Sequence, residues 1–461
     1  MAPLEEPEHI AAAITQHRLS NRAAWGYAYR DIWGPRVKSM GNPWSPNNPS
    51  GTIILRLAEN SLMHDEVAEY INTHTKVLSQ SHLTYSTGPR GSLRLRCAAA
   101  DYISSEFHTH ETVTADNIFI TPGVASAIDA LTWSICNEGE GILVPRPFYN
   151  GFNFDTLNRS NAKLVGITYT NIEGYHGIDD LFRPEVNKLA LETALQRAKD
   201  EGINIRALLI SNPHNPLGRC YPPATLLEFA LFCEKHQLHL ISDEIYAKSV
   251  FANPAMSEET PFSSILSLNL ENVINPSLLH VLYGASKDFC ANGLRLGLVF
   301  TRNEGVLGAM SSISMFSWSP HVLQDVWASM LEDKEWLEQF MRKKQDMMVQ
   351  QHLVITSFLR EHSIKYYESN AGLFVWVDLR HLVKSLARSN SLPSKKDDEQ
   401  LEQAIATACG NNGVMIAPGH IYGSEESGWF RITFTVGEDA LKEGLERFQK
   451  SLVEFQAQAR V

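Results

Sequence analysis

From Asn117 to Phe300 the chain repeats one pattern: a short apolar run, a turn rich in Gly, Pro, Asn or Asp, then a stretch of helical character. Seven runs read as strands: Ile118–Thr121, Gly141–Val144, Leu164–Tyr169, Ala207–Ser211, Leu238–Ser242, Leu279–Tyr283 and Leu296–Phe300. A near-continuous apolar strand has no polar face to give to water, so helices must cover both sides of its sheet. Strands that alternate with helices imply parallel pairing. The expected fold is therefore α/β, a mainly parallel seven-stranded sheet flanked by helices, with ligands collecting at the carboxyl ends of its strands. Between the strands, Ala224–His236 is periodic enough for a helix with Leu226, Leu227, Ala230, Leu231 and Cys233 on one face.

Beyond Ser319 the character changes. A charged amphipathic stretch, Val322–His362, leads into strand-like Gly372–Leu379; Phe430–Val436 alternates as another strand, and Asp439–Ala457 reads as a final helix. Ser385–Glu402 reads as an exposed loop with a helix start. The expected division is a large domain over 71–319 and a smaller α+β domain over 320–461, joined by the N-terminal segment 1–70.

Composition narrows the function. Over 461 residues the formal net charge is −12 with Lys and Arg dispersed, which argues against nucleic acid as a partner. Six cysteines without C-x-x-C spacing fit free thiols in a reducing compartment and argue against a disulfide framework or zinc site. No apolar run approaches the roughly 20 residues of a membrane span, and Met1–Glu8 lacks the character of a secretory signal. A soluble, cytoplasmic protein is the expectation.

The strand ends carry the chemistry. Lys287 follows the Leu279–Tyr283 run, and Arg295 stands eight residues further on. A lysine at the mouth of a buried strand suits capture of an aldehyde, and a guanidinium suits a phosphate. After Ala207–Ser211 comes Asn212-Pro-His-Asn215-Pro-Leu-Gly218, whose amide can bond a ring hydroxyl. After Leu238–Ile241 come Asp243, placed to pair with a protonated pyridine nitrogen, and Tyr246, able to reach a phenolic oxygen. Pro122-Gly123-Val124-Ala125 opens a helix whose free N–H groups can hold phosphate. Tyr149 offers a ring to stack on. Each alone has a plainer reading: Asp as a cap, Asn-Pro as a turn, Lys as a surface charge. Their succession along consecutive strands points to pyridoxal 5'-phosphate, which carries both an aldehyde and a phosphate.

The ordered set Tyr85, Gly123, Tyr149, Asn212–Gly218, Ser242–Tyr246, Ser286-Lys287, Arg295 and Phe430-Arg431 resembles the class I/II aminotransferase family of fold-type I pyridoxal-phosphate enzymes, from about Leu57 to the C-terminus. The resemblance implies an aspartate aminotransferase-like fold and a homodimer with shared sites. It implies that Lys287 holds the cofactor aldehyde and moves the substrate Cα proton, with Tyr246 beside it in the catalytic set. Asp243 would pair with the ring nitrogen, Asn215 and Tyr246 would bond the ring oxygen, and Tyr149 would stack. Val124 and Ala125 N–H groups, Ser286 and Arg295 would hold the phosphate, with Tyr85 reaching the phosphate of the neighbouring subunit. Arg431 would bind the carboxylate of an amino-acid-type substrate, with Asn215 and Tyr85 also at the substrate side.

Leu57-Ala58-Glu59-Asn60, Arg146–Phe152 and Ser286-Lys287-Asp288 resemble the 1-aminocyclopropane-1-carboxylate synthase-like branch, in which the glutamate lies near the substrate. Some members of that branch in fungal secondary metabolism are carbon–sulfur lyases. The implied activity is carbon–sulfur cleavage, with amino-group exchange between an amino acid and a 2-oxo acid as the alternative, and a non-catalytic homologue as a third reading. The chain departs from the branch at Ala125, at Ser86–Gly91, and at Gly284, which stands where the family usually has serine and would remove one phosphate bond.

Overall fold

The computed structural model describes residues 11, 14–25, 37, 40–74, 80–389 and 395–458; Met1–Glu8 lie outside them. Seven strands form the large sheet, in the spatial order Ile118–Thr121, Gly297–Thr301, Leu279–Gly284, His239–Asp243, Ile205–Ser211, Gly141–Pro145 and Lys163–Ile167. All neighbouring pairs are parallel except those made by Gly297–Thr301, which runs antiparallel to both its neighbours. The α/β expectation holds, and every expected strand is present within two residues of its reading. Four of the seven are buried at every position, and the other three at all but one or two, as strands covered on both faces must be.

Helices Val124–Ile135, Pro184–Asp200 and Pro223–His236 follow strands of this sheet. In Pro223–His236 the buried face differs from the periodicity reading: Phe229 and Phe232 are buried while Leu231 is 43% exposed. The larger aromatic rings take the core side, and a leucine is left to water.

The second sheet has four antiparallel strands in the order Ala417–Pro418, Trp429–Thr433, Phe374–Asp378 and Lys365–Tyr367. Both central strands are buried at every position instead of alternating, because Leu382, Val383, Ile405, Leu441 and Phe448 join the core cluster that covers them. Ile53–Ile54 pairs in parallel with Val414–Met415, and Thr433 N–H donates to Leu55 O at 2.7 Å. Residues 53–55 are thereby laid along the C-terminal strands.

The charged stretch after Ser319 is two helices, His321–Glu332 and Lys334–Glu361, divided where the Asp333 carboxylate accepts from Trp336 N–H at 3.1 Å. We retain 319–320 as the proposed division between the two bodies, with helix His321–Glu332 packed across it onto Leu93–Glu106. Of the exposed loop with a helix start expected over 385–402, the helix start is present as Lys395–Asn411, while residues 385–389 are not loop but the end of helix Arg380–Ser389, with 390–394 outside the described residues. Its charged residues hid a structural one. Glu402 is fully buried and accepts from the His420 N–H at 2.8 Å and the His420 ring at 2.7 Å. Among the described residues no helix is long and apolar enough to cross a membrane.

Candidate active site

A cavity of about 630 Å³ opens at the carboxyl ends of the parallel strands, within the usual size range of a small-molecule site. Glu59, Val124, Ala125, Tyr149, Asn215, Asp243, Tyr246, Ser286, Lys287, Arg295 and Arg431 all line it. Of the residues given a role by the resemblance, Tyr85 alone does not. It stands 86% exposed, its ring edge-on to Trp318 at 6.1 Å. A smaller cavity of about 260 Å³ lies near Leu266, Leu279 and Phe300, at the opposite end of the strands, without comparable converging polar groups.

Lys287 sits on the single turn Ala285–Asp288 directly after strand Leu279–Gly284. That turn is held from behind. Asp288 accepts from Ser249 Oγ at 2.7 Å, Tyr283 Oη at 2.9 Å and Lys248 N–H at 2.8 Å, while buried Lys344 donates to the Asp288 carbonyl at 2.8 Å. The Lys287 amine donates to Ala58 O. Burial, then the Arg431 guanidinium, pull this amine down from the ordinary lysine value to about 8, against the opposing charges of Glu59 and Asp243. The reactive form is the neutral amine. Capture of pyridoxal phosphate by cofactor-free protein is therefore expected to quicken about tenfold per pH unit up to about 8 and level off above it. Stopped-flow absorbance checks this, and a break near the ordinary lysine value would contradict it.

Asp243 is 5% exposed and accepts from Ile245 N–H at 3.2 Å. Burial pushes its carboxyl up to about 7, with that hydrogen bond and Lys287 opposing. A buried carboxylate so sparsely bonded favours a cationic donor, and a protonated pyridine nitrogen is one. Burial likewise raises the Tyr246 hydroxyl, keeping it a neutral donor.

Gly123 caps helix Val124–Ile135 at φ +86°, and a Cβ there would come within 2.3 Å of Arg295 Nη2. Only glycine combines that backbone with a guanidinium laid against the helix start. Arg295 donates to Asn292 O at 2.8 Å and Pro122 O at 3.1 Å. The helix N–H groups and this cation together suit a phosphate.

Gly284 has a cause that sequence did not reveal. A Cβ there would lie 2.7 Å from Leu296 O and 3.1 Å from Gly297 Cα, and Gly297 is itself pressed against Gly123. The close approach of strand Gly297–Thr301 to the phosphate helix requires the missing side chain. Gly284→Ser is thus expected to destabilise the protein by about 1–3 kcal/mol without tightening cofactor retention. Denaturant unfolding and cofactor titration would detect the reverse outcome.

Arg431 lies on Trp429–Thr433, its guanidinium 4.8 Å from the ring centroids of both Phe374 and Tyr422. It donates to Asn215 Oδ1 at 3.0 Å and Arg56 O at 2.7 Å, while its buried Nε has no partner. That unpaired donor fits a ligand carboxylate. Glu59 reaches the cavity because Thr435 Oγ1 donates to its carbonyl at 2.7 Å and Ser61 N–H bonds Thr435 O at 3.0 Å. Sequence reading missed Asp155, Arg56, Asn292 and Tyr422, which also line the cavity. Only Tyr422 had a local signal, the Pro418-Gly419 turn before it.

A buried lysine, a buried carboxylate, a phosphate cradle and an arginine at the carboxyl ends of a parallel sheet fit pyridoxal phosphate, and they define a fold-type I enzyme that uses it. The model of the family described as aminotransferase class I and II matches residues 52–448, and the chain belongs to that family of pyridoxal-phosphate-dependent enzymes. It is 30% identical over 423 residues to a 1-aminocyclopropane-1-carboxylate synthase of Glycine max, covering 90% of this chain and 83% of the relative. It is 32% identical over 396 residues to the probable aminotransferase gliI of Aspergillus fumigatus, covering 85% and 87%. A probable inactive 1-aminocyclopropane-1-carboxylate synthase-like protein 2 of Mus musculus is 30% identical over 409 residues, covering 88% and 67%. Among solved structures, Pyrococcus horikoshii kynurenine aminotransferase superposes with a TM-score of 0.71 at 16% identity, covering 96% of this chain and 99% of that one. Thermus thermophilus aspartate aminotransferase with maleate gives 0.67 at 19% identity, covering 97% of each chain. At these identities the structures establish the shared fold.

Proposed function

We propose that this enzyme is a carbon–sulfur lyase acting at Cα of an amino-acid substrate, of the 1-aminocyclopropane-1-carboxylate synthase-like type, with a role in secondary metabolism. One observation carries the choice: the Glu59 carboxylate lines the same cavity as Lys287 and acts electrostatically on its amine. Amino-group exchange needs one group to move one proton between two carbons. Expulsion of sulfur needs a further group to attend the leaving atom.

Bound pyridoxal phosphate supplies an aldehyde for the substrate amine and a cationic ring that stabilises negative charge at Cα. In this reading Arg431 holds the substrate carboxylate through its unpaired Nε. The Lys287 amine would take the Cα proton. Asp243 would keep the proton on the ring nitrogen. Asn215 and Tyr246 would hold the ring oxygen, Tyr149 the ring face, and Ser286, Arg295 and the Val124 and Ala125 N–H groups the phosphate. Glu59 then serves the departing sulfur. The names of the relatives do not choose between outcomes, since they include a synthase, a probable aminotransferase and a probable inactive protein.

Amino-group exchange is the second reading; it requires Lys287 and leaves Glu59 without a task. The exposed Tyr85, with Leu83 at 79% and Phe316 at 89% exposure, supports a homodimer in which Tyr85 serves the neighbouring site. Glu59→Gln tests the assignment. Sulfur release is expected to fall about 100-fold, while solvent deuterium still enters Cα at nearly the parent rate. Equal loss of both would remove Glu59 from the chemistry of the leaving group.

A further inference from the structure

Away from the active-site cavity, two imidazoles and a carboxylate converge on one point. His82 lies on the short turn of helix Gln80–Leu83, and His321 and Asp325 stand one turn apart at the start of helix His321–Glu332. Asp325 Oδ2 is 3.0 Å from His82 Nε2 and 3.5 Å from His321 Nε2, and the three atoms lie within 4.8 Å of one another. The two rings meet edge to face, centroids 4.6 Å apart. Donor atoms around a tetrahedral zinc, each about 2.1 Å from the metal, stand roughly 3.4 Å apart. The observed separations bracket that value.

The protons decide what the cluster wants. His321 Nδ1 is 3.3 Å from Ser81 O and 3.3 Å from Ser86 Oγ. Ser86 gives its own hydroxyl proton to Ser81 O at 2.8 Å, so both neighbours of Nδ1 offer it lone pairs. With Nδ1 placed to donate there, Nε2 faces the Asp325 carboxylate at 3.5 Å, a separation that a cation bound by both can bridge. The surroundings are those of a metal ligand set: one histidine donates its outer N–H to a backbone carbonyl, and Asp325 Oδ1 accepts from Ser92 Oγ at 2.9 Å. Asp325 also supplies the negative charge that the positive helix end would otherwise withhold from a cation.

We propose that His82, His321 and Asp325 form a site for one divalent transition-metal ion of the zinc type, which clamps the turn before Tyr85 onto helix His321–Glu332. Imidazole and carboxylate donors in a four-coordinate arrangement suit zinc, with water in the fourth position. The ligands are partly buried, with side-chain exposures of 9%, 14% and 19%, so the ion can enter and stay. The clamp needs no cysteine, which is why cysteine spacing gave no sign of it.

The test uses the full chain with its cofactor bound, stripped with chelator and then given zinc or cobalt. One zinc per chain is expected, with the intense visible bands of four-coordinate cobalt and a raised unfolding midpoint. His321→Gln and Asp325→Asn should each weaken zinc binding at least tenfold while leaving the cofactor colour unchanged. Ser92→Ala, which touches only the carboxylate's outer oxygen, should weaken it less and keeps the test open if a ligand variant fails to fold. Zinc uptake equal in parent and variants, or no uptake by the parent, would overturn the proposal. An imidazolium at His321 in place of the metal would give the second of these results.

Discussion

Lys287→Ala is expected to fold and to retain no cofactor through borohydride reduction, with turnover cut by at least about 1,000-fold. The lysine carries two tasks: it holds the aldehyde, and it moves the Cα proton. Its amine is prepared for both by burial and by Arg431, which together lower it to about 8. The fold should survive because the turn that carries Lys287 is anchored by Asp288, Ser249, Tyr283 and Lys344 and not by the lysine side chain. Circular dichroism, reduction with borohydride and a turnover assay read the three effects separately. Undiminished turnover would refute the role given to Lys287.

Asp243→Asn is expected to bind the cofactor and lose about 100- to 1,000-fold in turnover, the equivalent of about 3–4 kcal/mol. The substitution keeps the shape and the hydrogen bond from Ile245 but removes the charge that opposes a cationic ring nitrogen. Because the carboxylate is 5% exposed, solvent screens little of that interaction. Loss of turnover with retained cofactor separates an electronic role from a structural one. A variant that loses both equally would show that Asp243 mainly builds the cavity floor.

Much of this was legible because one physical rule links sequence to site. Strands buried on both faces must be apolar throughout, and in a parallel sheet their carboxyl ends meet on one side. Polar residues that directly follow such runs, namely Asn215, Asp243, Tyr246 and Lys287, therefore converge. What escaped notice was whatever depends on packing between distant segments. Gly284 reads from sequence only as a lost phosphate bond; the reason for it, Leu296 O standing where its side chain would be, lies in packing. Glu402 looked like part of a solvated charge run, yet it is buried against His420 through contacts that sequence separation conceals. Leu231 and Phe229 share the helix Pro223–His236, and periodicity alone does not say which side wins the core. Tyr85 lies outside the cavity, which no local sequence signal foretold.

The most direct test of the proposed activity is product analysis of the cofactor-loaded enzyme in the absence of any 2-oxo acid. It would be given S-adenosylmethionine in one arm and a cysteine S-conjugate in another. The account predicts continuous sulfur release in one arm, as methylthioadenosine or as free thiol with pyruvate, unaffected by added 2-oxo acid. Amino-acid formation that depends on a 2-oxo acid, with no sulfur released in either arm, would contradict it.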